Sequence, residues 1–516
     1  MAIDPSDLPA PHLAPAAALP LVEELVPAPD PWDVARQLAH LPYLITFDSP
    51  DRDSPFARYS FVTADPFGTL IATDNALAWM FGRDQTRNSS PRRRPPNRAD
   101  DDYRLSPASA GRDPFAQLAV SLARLRQDSL AGLPPFQGGA AGLFGYGLCR
   151  HVERIPRPRA DEFRLPDLAV GFFDWVVAFD HQQSRAWLIS SGLPVADPRR
   201  RRSRAAGQLH RVRAWLDRQP RSERSPRHDR GPIAPSAAHP LPGFANVTSN
   251  FTRPGYEAAV RRAIEYTHAG DCFQVNLSQR LLAPITEHPL ELYARLRERN
   301  PAPFAGYFDL GDFAIASASP ERFLKLSPDG EVETRPIKGT RPRGRTPAED
   351  AANRADLLAS PKDRAENVMI VDLLRNDLGR VCEYGSVQVA KVCELESYRT
   401  VHHLVSEVRG RLRQGKTAVD LLRAAFPGGS VTGAPKVRAM EIIAELEPTA
   451  RGPYCGSLGY IGFDGSMDTN ILIRTFTIGG GWAQFPVGGG IVADSDPARE
   501  YEETLHKAAG LLRALE

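Results

Sequence analysis

The sequence predicts a chain of mixed helix and strand, and three observations carry that expectation. Short runs at period two, including Tyr43–Ser49, Arg58–Thr63 and Phe273–Ser278, alternate as half-buried strands do. Between them, apolar residues recur at helical spacing behind capping residues: Thr252 before Pro254, and Asp496 before Pro497. The composition is that of an ordinary globular chain: 516 residues, 42% hydrophobic, with 64 basic and 62 acidic side chains. A formal charge of +2 gives no global reason to expect nucleic acid. No run approaches the roughly 18–20 apolar residues of a membrane span, so no membrane role is expected.

Taken in order, residues 1–20 are Ala/Pro-rich and read as a disordered extension without the basic start or apolar core of a secretory signal. The runs at 43–49 and 58–63 read as a hairpin. Residues 82–102 (GRDQTRNSSPRRRPPNRADDD) are low in complexity and read as a mobile insertion. Helical spacing returns over 113–128, through Phe115, Leu118, Leu122 and Leu125. The glycine-rich Gln137–Tyr146 lacks the spacing of a dinucleotide-binding turn, and Gly171–Phe179 reads as one buried strand. A helix near 203–217 ends in 219–245, whose proline, charge and lack of period mark a linker. The expected division is therefore 21–218 and 246–516. Five cysteines (Cys149, Cys272, Cys382, Cys393, Cys455) form no CxxC pair, which predicts a reduced, cytoplasmic chain.

In the second region, Phe273, Val275 and Leu277 share one face of a strand, leaving Gln274 and Asn276 on the other. Lys338 stands between Ile337 and Gly339, with Pro336 and Pro342 fixing the backbone around it. Taken alone it reads as a solvated lysine. Two helices carry carboxylates three residues apart, Asp363 with Glu366 and Glu500 with Glu503, the latter near Lys507. Such pairs are either solvated helix surface or hard-oxygen ligands for Mg²⁺, and the residues alone leave both readings open. Glycine-rich turns are read at 426–436, which holds Ser430, and at 487–492; the first leads into a helix and offers backbone N–H groups to an anion, without the Gly-Lys-Ser/Thr ending of a P-loop. Arg474, on a strand-like 469–475, is a bidentate partner for a carboxylate or for a structural acid.

Eight blocks in order resemble the chorismate-utilising enzymes, the family of the anthranilate, aminodeoxychorismate, isochorismate and salicylate synthases. They include DCFQVNLSQR (271–280), SASPERFL (317–324), RPIKGTRPRG (335–344), DRAENVMIVDLLRNDLGRV (363–381), GGSVTGAPKVRAMEII (428–443) and GGGIVADSDPAREYEET (488–504), and they cover essentially all of 252–512. The first half resembles the family more loosely, through ARYSFVTADP (57–66) and GGAAGLFGYG (138–147).

The resemblance implies an α+β fold, a sandwich of two large, mostly antiparallel sheets packed around helices. The N-terminal half would add strands to one layer, and the catalytic centre would lie in 246–516. It implies chorismate as substrate and Mg²⁺ as cofactor, held by Asp363, Glu366, Glu500 and Glu503. Hydrolytic members carry a water-activating lysine where this chain has Gln274. A lysine at 338, where anthranilate synthases have alanine, implies amination at C4 through a Lys338 adduct, giving 4-amino-4-deoxychorismate for 4-aminobenzoate and folate synthesis. Glu321 would be the general acid and His403 would stand near the pyruvyl side. Gln274, Gly339, Thr340, Ser430, Tyr460, Arg474, Gly488, Gly489, Gly490 and Lys507 would bind substrate. No glutaminase-type cysteine elbow is present, which implies a separate glutamine amidotransferase subunit as ammonia donor. Some relatives hold tryptophan in the N-terminal region at a Leu-Leu-Glu-Ser-like stretch, from which Ile45-Thr-Phe-Asp48-Ser49 departs. The alternative readings are anthranilate synthesis and a catalytically silent ligand-binding subunit.

Overall fold

The structure is a computed structural model that describes residues 20–73, 76–81, 113–218, 231–236, 238–399 and 401–516. The expected extension (apart from Pro20), the 82–102 insertion and residues 219–230 of the linker lie outside the described residues.

Two large sheets form the body. A 13-stranded sheet runs from Leu21–Leu25 through Ile45–Asp48 and Phe304–Asp309 to Trp482–Ile491 and Gln274–Pro284. An 11-stranded sheet runs from Ile337–Pro342 and Val401–Arg411 through Arg322–Leu326 and Ser457–Gly462 to Gly139–Phe144 and Gly68–Thr73. The hairpin expected at 43–63 is present, with Ile45 paired antiparallel to Thr63. The N-terminal half feeds both layers rather than one: Ile45–Asp48 pairs with Phe304–Asp309 in the larger sheet, and Gly139–Phe144 pairs with Ser457–Gly462 in the smaller. The regions before and after 219–245 thus share both sheets, because each inner face needs the other half's strands to be covered.

Ile45, Phe61, Val176, Ile189 and Phe308 from the larger sheet meet Ala141, Leu143, Leu458 and Tyr460 from the smaller in one buried layer. Helices close the outer faces. Pro31–Gln37, Pro198–Leu216, Pro289–Arg299 and Pro497–Leu515 pack on the larger sheet; Pro114–Arg124, Pro361–Gly379 and Ala418–Ala425 pack on the smaller. Each of these seven has a side-chain N-cap, and the prolines at first-turn positions agree with the sequence signals.

Four runs differ from expectation, the first being the glycine-rich 487–492, which is not a turn but the end of the strand Trp482–Ile491, paired with Gln274–Pro284. Gly171–Phe179 is two strands in different sheets, Leu168–Phe173 and Trp175–Asp180, hinged at the fully buried Asp174. That carboxylate is satisfied by Arg204 at 3.1 Å and Gln208 at 3.0 Å. The strand expected from Phe273 begins at Gln274; Phe273 is exposed, while Gln274 to Ala283 are buried on both faces. Residues 469–475 are not one strand: Met467–Asn470 belongs to the smaller sheet, Thr475–Gly479 to the larger, and Arg474 lies in the crossing between them. A second crossing, between Ala314–Ser319 and Arg322–Leu326, carries Glu321.

Candidate active site

The two crossings lie side by side and bring Glu321 and Arg474 together. Ile471 N–H donates to the Glu321 carbonyl at 3.0 Å, Ser319 hydroxyl donates to the Ile471 carbonyl at 2.6 Å, and Ala318 N–H donates to the Arg474 carbonyl at 3.1 Å. Arg474 adopts φ 51°, a left-handed conformation uncommon outside glycine and costing of order 1–3 kcal/mol. The half-buried guanidinium has no ion pair within 4 Å among the described residues. Burial lowers it from the ordinary arginine value while nearby Glu321 opposes that shift. A desolvated cation without a matched acid is suited to an anionic ligand.

Glu321 is buried, and desolvation pushes its carboxyl up to about 7 against the pull of Ser430, Lys338, the Ile337 backbone and Arg474. Ser430 reaches it from the short helical turn Gly429–Val431, where the loop turns inward. A carboxyl near 7 carries its proton over much of the neutral range, as a general acid must.

Lys338 owes its aim to a bulge. In the Ile337–Pro342 strand the register passes from Ile337 opposite Val405 to Thr340 opposite His403, so two residues face one. Gly339 absorbs the irregularity at φ 91°, and a Cβ there would stand 3.0 Å from Asp363 and Leu357. The Lys338 ammonium is buried and donates to Glu366 at 2.8 Å. Burial pushes Glu366 up, yet the charge and hydrogen bond of Lys338, with Gln274, hold its carboxyl below the ordinary value. Gln274 donates its amide to the same Glu366 oxygen. Gly490 leaves room for that amide, since a Cβ would lie 1.8 Å from Gln274 Nε2.

His403 faces Lys338's strand, its Nδ1 2.8 Å from Thr340 hydroxyl. Desolvation, with the charge of Arg474, lowers it to about 3, so the imidazole is neutral. The adjacent His402 is occupied structurally, with Ser397 at 2.8 Å and Asp350 at 3.0 Å.

On the Pro497–Leu515 helix, Glu500 and Glu503 approach Gly489, whose missing Cβ would lie 3.2 and 3.3 Å from their oxygens. Burial and Glu503 raise Glu500, against Ser495, Lys362 and Lys507. Burial raises Glu503 too, but Lys507 at 2.7 Å outweighs it, and Glu366 is near enough to oppose. Lys507 also donates to the Gly488 carbonyl at 2.9 Å. Three ammonium groups therefore sit on three carboxylates: Lys338 on Glu366, Lys362 on Glu500 at 3.7 Å, and Lys507 on Glu503. Among the described residues no three Asp, Glu, His or Cys side chains are drawn together as a metal cluster. The donor set nonetheless fits a hard divalent cation, because Glu366, Glu500 and Glu503 supply carboxylate oxygens near one another, each paired here with a lysine charge that a cation could replace. Asp363 departs from this group and pairs with Arg341 at 3.2 Å.

Tyr460 is also not brought to the site. Strand alternation turns it with Leu458 into the layer between the sheets, where it stacks on Phe136 at 4.4 Å and meets Phe47 and Phe61 edge-on. Tyr454 lies nearer, beside Cys455, whose thiol feels Glu321. The helix-face and glycine signals missed Tyr454 and Lys362, whereas Asn276 was marked by its period-two position two residues from Gln274. In the N-terminal stretch, Asp48 accepts from Arg297 at 2.7 Å and Tyr293 at 3.3 Å, and Ser49 hydroxyl donates to the Tyr59 carbonyl at 2.9 Å.

A buried carboxyl at Glu321, an inward Lys338 and an arginine with no ion pair among the described residues are drawn together near the glycine-rich run 488–490, a set of groups suited to acid–base chemistry on a small anion. Residues 84–513 match the chorismate binding enzyme family, and the chain belongs to that family. It is 41% identical over 480 residues to the aminodeoxychorismate synthase component 1 of Escherichia coli (strain K12), covering 93% of this chain and 95% of that protein. It is 45% identical over 384 residues to the anthranilate synthase component 1 of Thermus thermophilus, covering 74% of this chain and 79% of that protein. The crystal structure of anthranilate synthase component I from Streptococcus pneumoniae superposes with a TM-score of 0.72 at 32% identity, covering 89% of this chain and 93% of that one. Among the described residues no helix is long and apolar enough to cross a membrane.

Proposed function

We propose that this enzyme converts chorismate and ammonia to 4-amino-4-deoxychorismate, with ammonia supplied by a glutamine amidotransferase subunit in the cytoplasm. The observation that carries the reading is Lys338, which a bulge turns inward to a buried position beside Glu321 and Glu366. Lys338 first gives up its ammonium proton to solvent; the resulting amine adds at C2 while the C4 hydroxyl departs with the proton of Glu321 as water, and the ring double bonds shift between the two carbons. Ammonia then attacks C4 and expels Lys338 as the free amine. The carboxylate of Glu321 takes one proton from the new ammonium group, so the acid is restored. Arg474, Ser430 and the Gly488–Gly490 backbone hold the substrate's carboxylates. His403, neutral at working pH, orients Thr340 beside the lysine. Mg²⁺ would be held by Glu366, Glu500 and Glu503, where it would clamp and neutralise a carboxylate of the substrate. The 41–46% identity to three aminodeoxychorismate synthase component 1 sequences supports the same reading.

The test is incubation of the purified chain with chorismate, Mg²⁺ and ammonium salt, with products identified by mass and fluorescence. The expected product is 4-amino-4-deoxychorismate, lost in Lys338→Ala. Anthranilate from the unmodified chain would overturn the reading and show that the residue at 338 does not choose the reaction.

A further inference from the structure

Two buried amide oxygens in the site accept no hydrogen bond. Gln274 Oε1 and Asn276 Oδ1 are enclosed and unpartnered, on the same face of the Gln274–Pro284 strand. A buried acceptor left bare costs about 1–3 kcal/mol, so two adjacent ones call for a ligand. Both residues are fixed in place. Gln274 is anchored through its amide nitrogen to Glu366. Asn276 is clamped by its backbone, donating to the Thr432 carbonyl at 2.8 Å and accepting from Arg451 at 2.6 Å. Across the ladder Asn276 faces Gly490, whose missing Cβ gives its place to the Gln274 amide and so brings the two amides to one spot. The next residue on that face, Ser278, donates to Glu447 at 2.8 Å, and Glu447 is paired with Arg451 at 2.6 Å. A polar line thus runs along one strand face from Glu447 and Arg451 to Glu366 and Lys338, with two free acceptors in its middle.

Such a pair selects its ligand by hydrogen-bond type. A carboxylate or phosphate would set its lone pairs against theirs, so the occupant must bring N–H or O–H groups. We propose that Asn276, together with Gln274, forms the subsite that holds ammonia, with Asn276 as a positioning residue for the incoming nucleophile. Ammonia has three N–H bonds and one lone pair. Two acceptors can hold it by N–H and leave the lone pair directed at carbon. The inference rests on the amination reading above and names where in the site the nucleophile waits.

The test uses the full chain with saturating chorismate and Mg²⁺ at one pH, ammonium chloride being varied, and compares Asn276→Leu with Asn276→Asp. Leucine removes the acceptor at similar size and should raise the KM for ammonium at least tenfold, with the KM for chorismate within twofold of the parent. Aspartate keeps an acceptor and should hold the ammonium KM within threefold. An ammonium KM in Asn276→Leu within twofold of the parent would overturn the inference, and so would a chorismate KM that rises in parallel, since the acceptor would then serve the ring. If Asn276→Leu does not fold by circular dichroism, Asn276→Thr and Asn276→Val carry the comparison with the same thresholds. A parent chain whose turnover ignores ammonium overturns both this inference and the amination reading. A parent that uses ammonium, with Asn276→Leu unaffected, overturns this inference alone.

Discussion

Replacing Glu321 with glutamine tests the site's chemistry and its physical basis in one variant. Burial moves this carboxyl from 4.5 to about 7, a rise of roughly 2.5 units, and at about 1.4 kcal/mol per unit its ionisation in the fold costs about 3 kcal/mol. Because the folded-state value is the raised one, the folded chain binds this proton more tightly than the unfolded chain. The associated stability is fully present below about 4.5 and is lost as pH rises from there through about 7. Glutamine fills the same space and does not titrate. Relative to the parent, Glu321→Gln should therefore gain about 3 kcal/mol of stability between pH 4 and pH 8, read as the divergence of urea-unfolding free energies measured at each pH. Turnover should move the opposite way and fall by roughly 10²–10⁴-fold, the range for loss of a general acid. The parent's kcat/KM for chorismate should decline above about 7, whereas the residual activity of the variant should lack that step. Parallel stability curves for the two proteins from pH 4 to 8 would refute the argument, because Glu321 would then ionise in the fold as it does in water.

Three further perturbations follow from the same geometry. Gly339→Ala places a Cβ 3.0 Å from Asp363 and Leu357 at φ 91°, so the bulge should shift; kcat should drop at least tenfold with a lower unfolding midpoint, and an unchanged kcat would show that the bulge does not aim Lys338. Arg474→Lys keeps the charge but loses the planar fork, and should raise the KM for chorismate at least tenfold; steady-state kinetics showing only a kcat effect would count against a substrate-binding role. His403 titrates near 3, far below working pH, so His403→Gln should lower activity without changing the shape of the pH profile between 5 and 9. A parent ionisation near 6–7 that disappears in this variant would contradict the neutral imidazole.

Much of the architecture was legible in the residues because its signals are local. Caps and first-turn prolines mark the helices at Thr252 and Asp496, and period-two runs mark the hairpin at 45–63. The pairing of Lys338 with Gly339 was a local signal too, since only a glycine carries the bulge at φ 91°. Misreadings arose where a run changed partners without changing its composition. Residues 171–179 and 469–475 are each apolar enough for a single strand, yet they cross from one sheet to the other at Asp174 and at Arg474. Tyr460 followed the same logic: its motif is intact, but the parity of its strand turns the ring toward Phe136.

By itself, then, the sequence determined which side chains were available and which local turns would present them: a lysine beside a glycine between two prolines, carboxylates one helical turn apart, and amides on one face of a strand. Tertiary structure alone decided their meeting. Glu321 and Arg474 are 153 positions apart in the chain and become neighbours only because two strand crossings pack side by side. The raised value of Glu321, the neutrality of His403 and the lysines seated on Glu366, Glu500 and Glu503 all depend on that packing. The reason is that a residue's identity sets its charge in water, whereas burial and the charges brought near it by distant segments set its charge in the site.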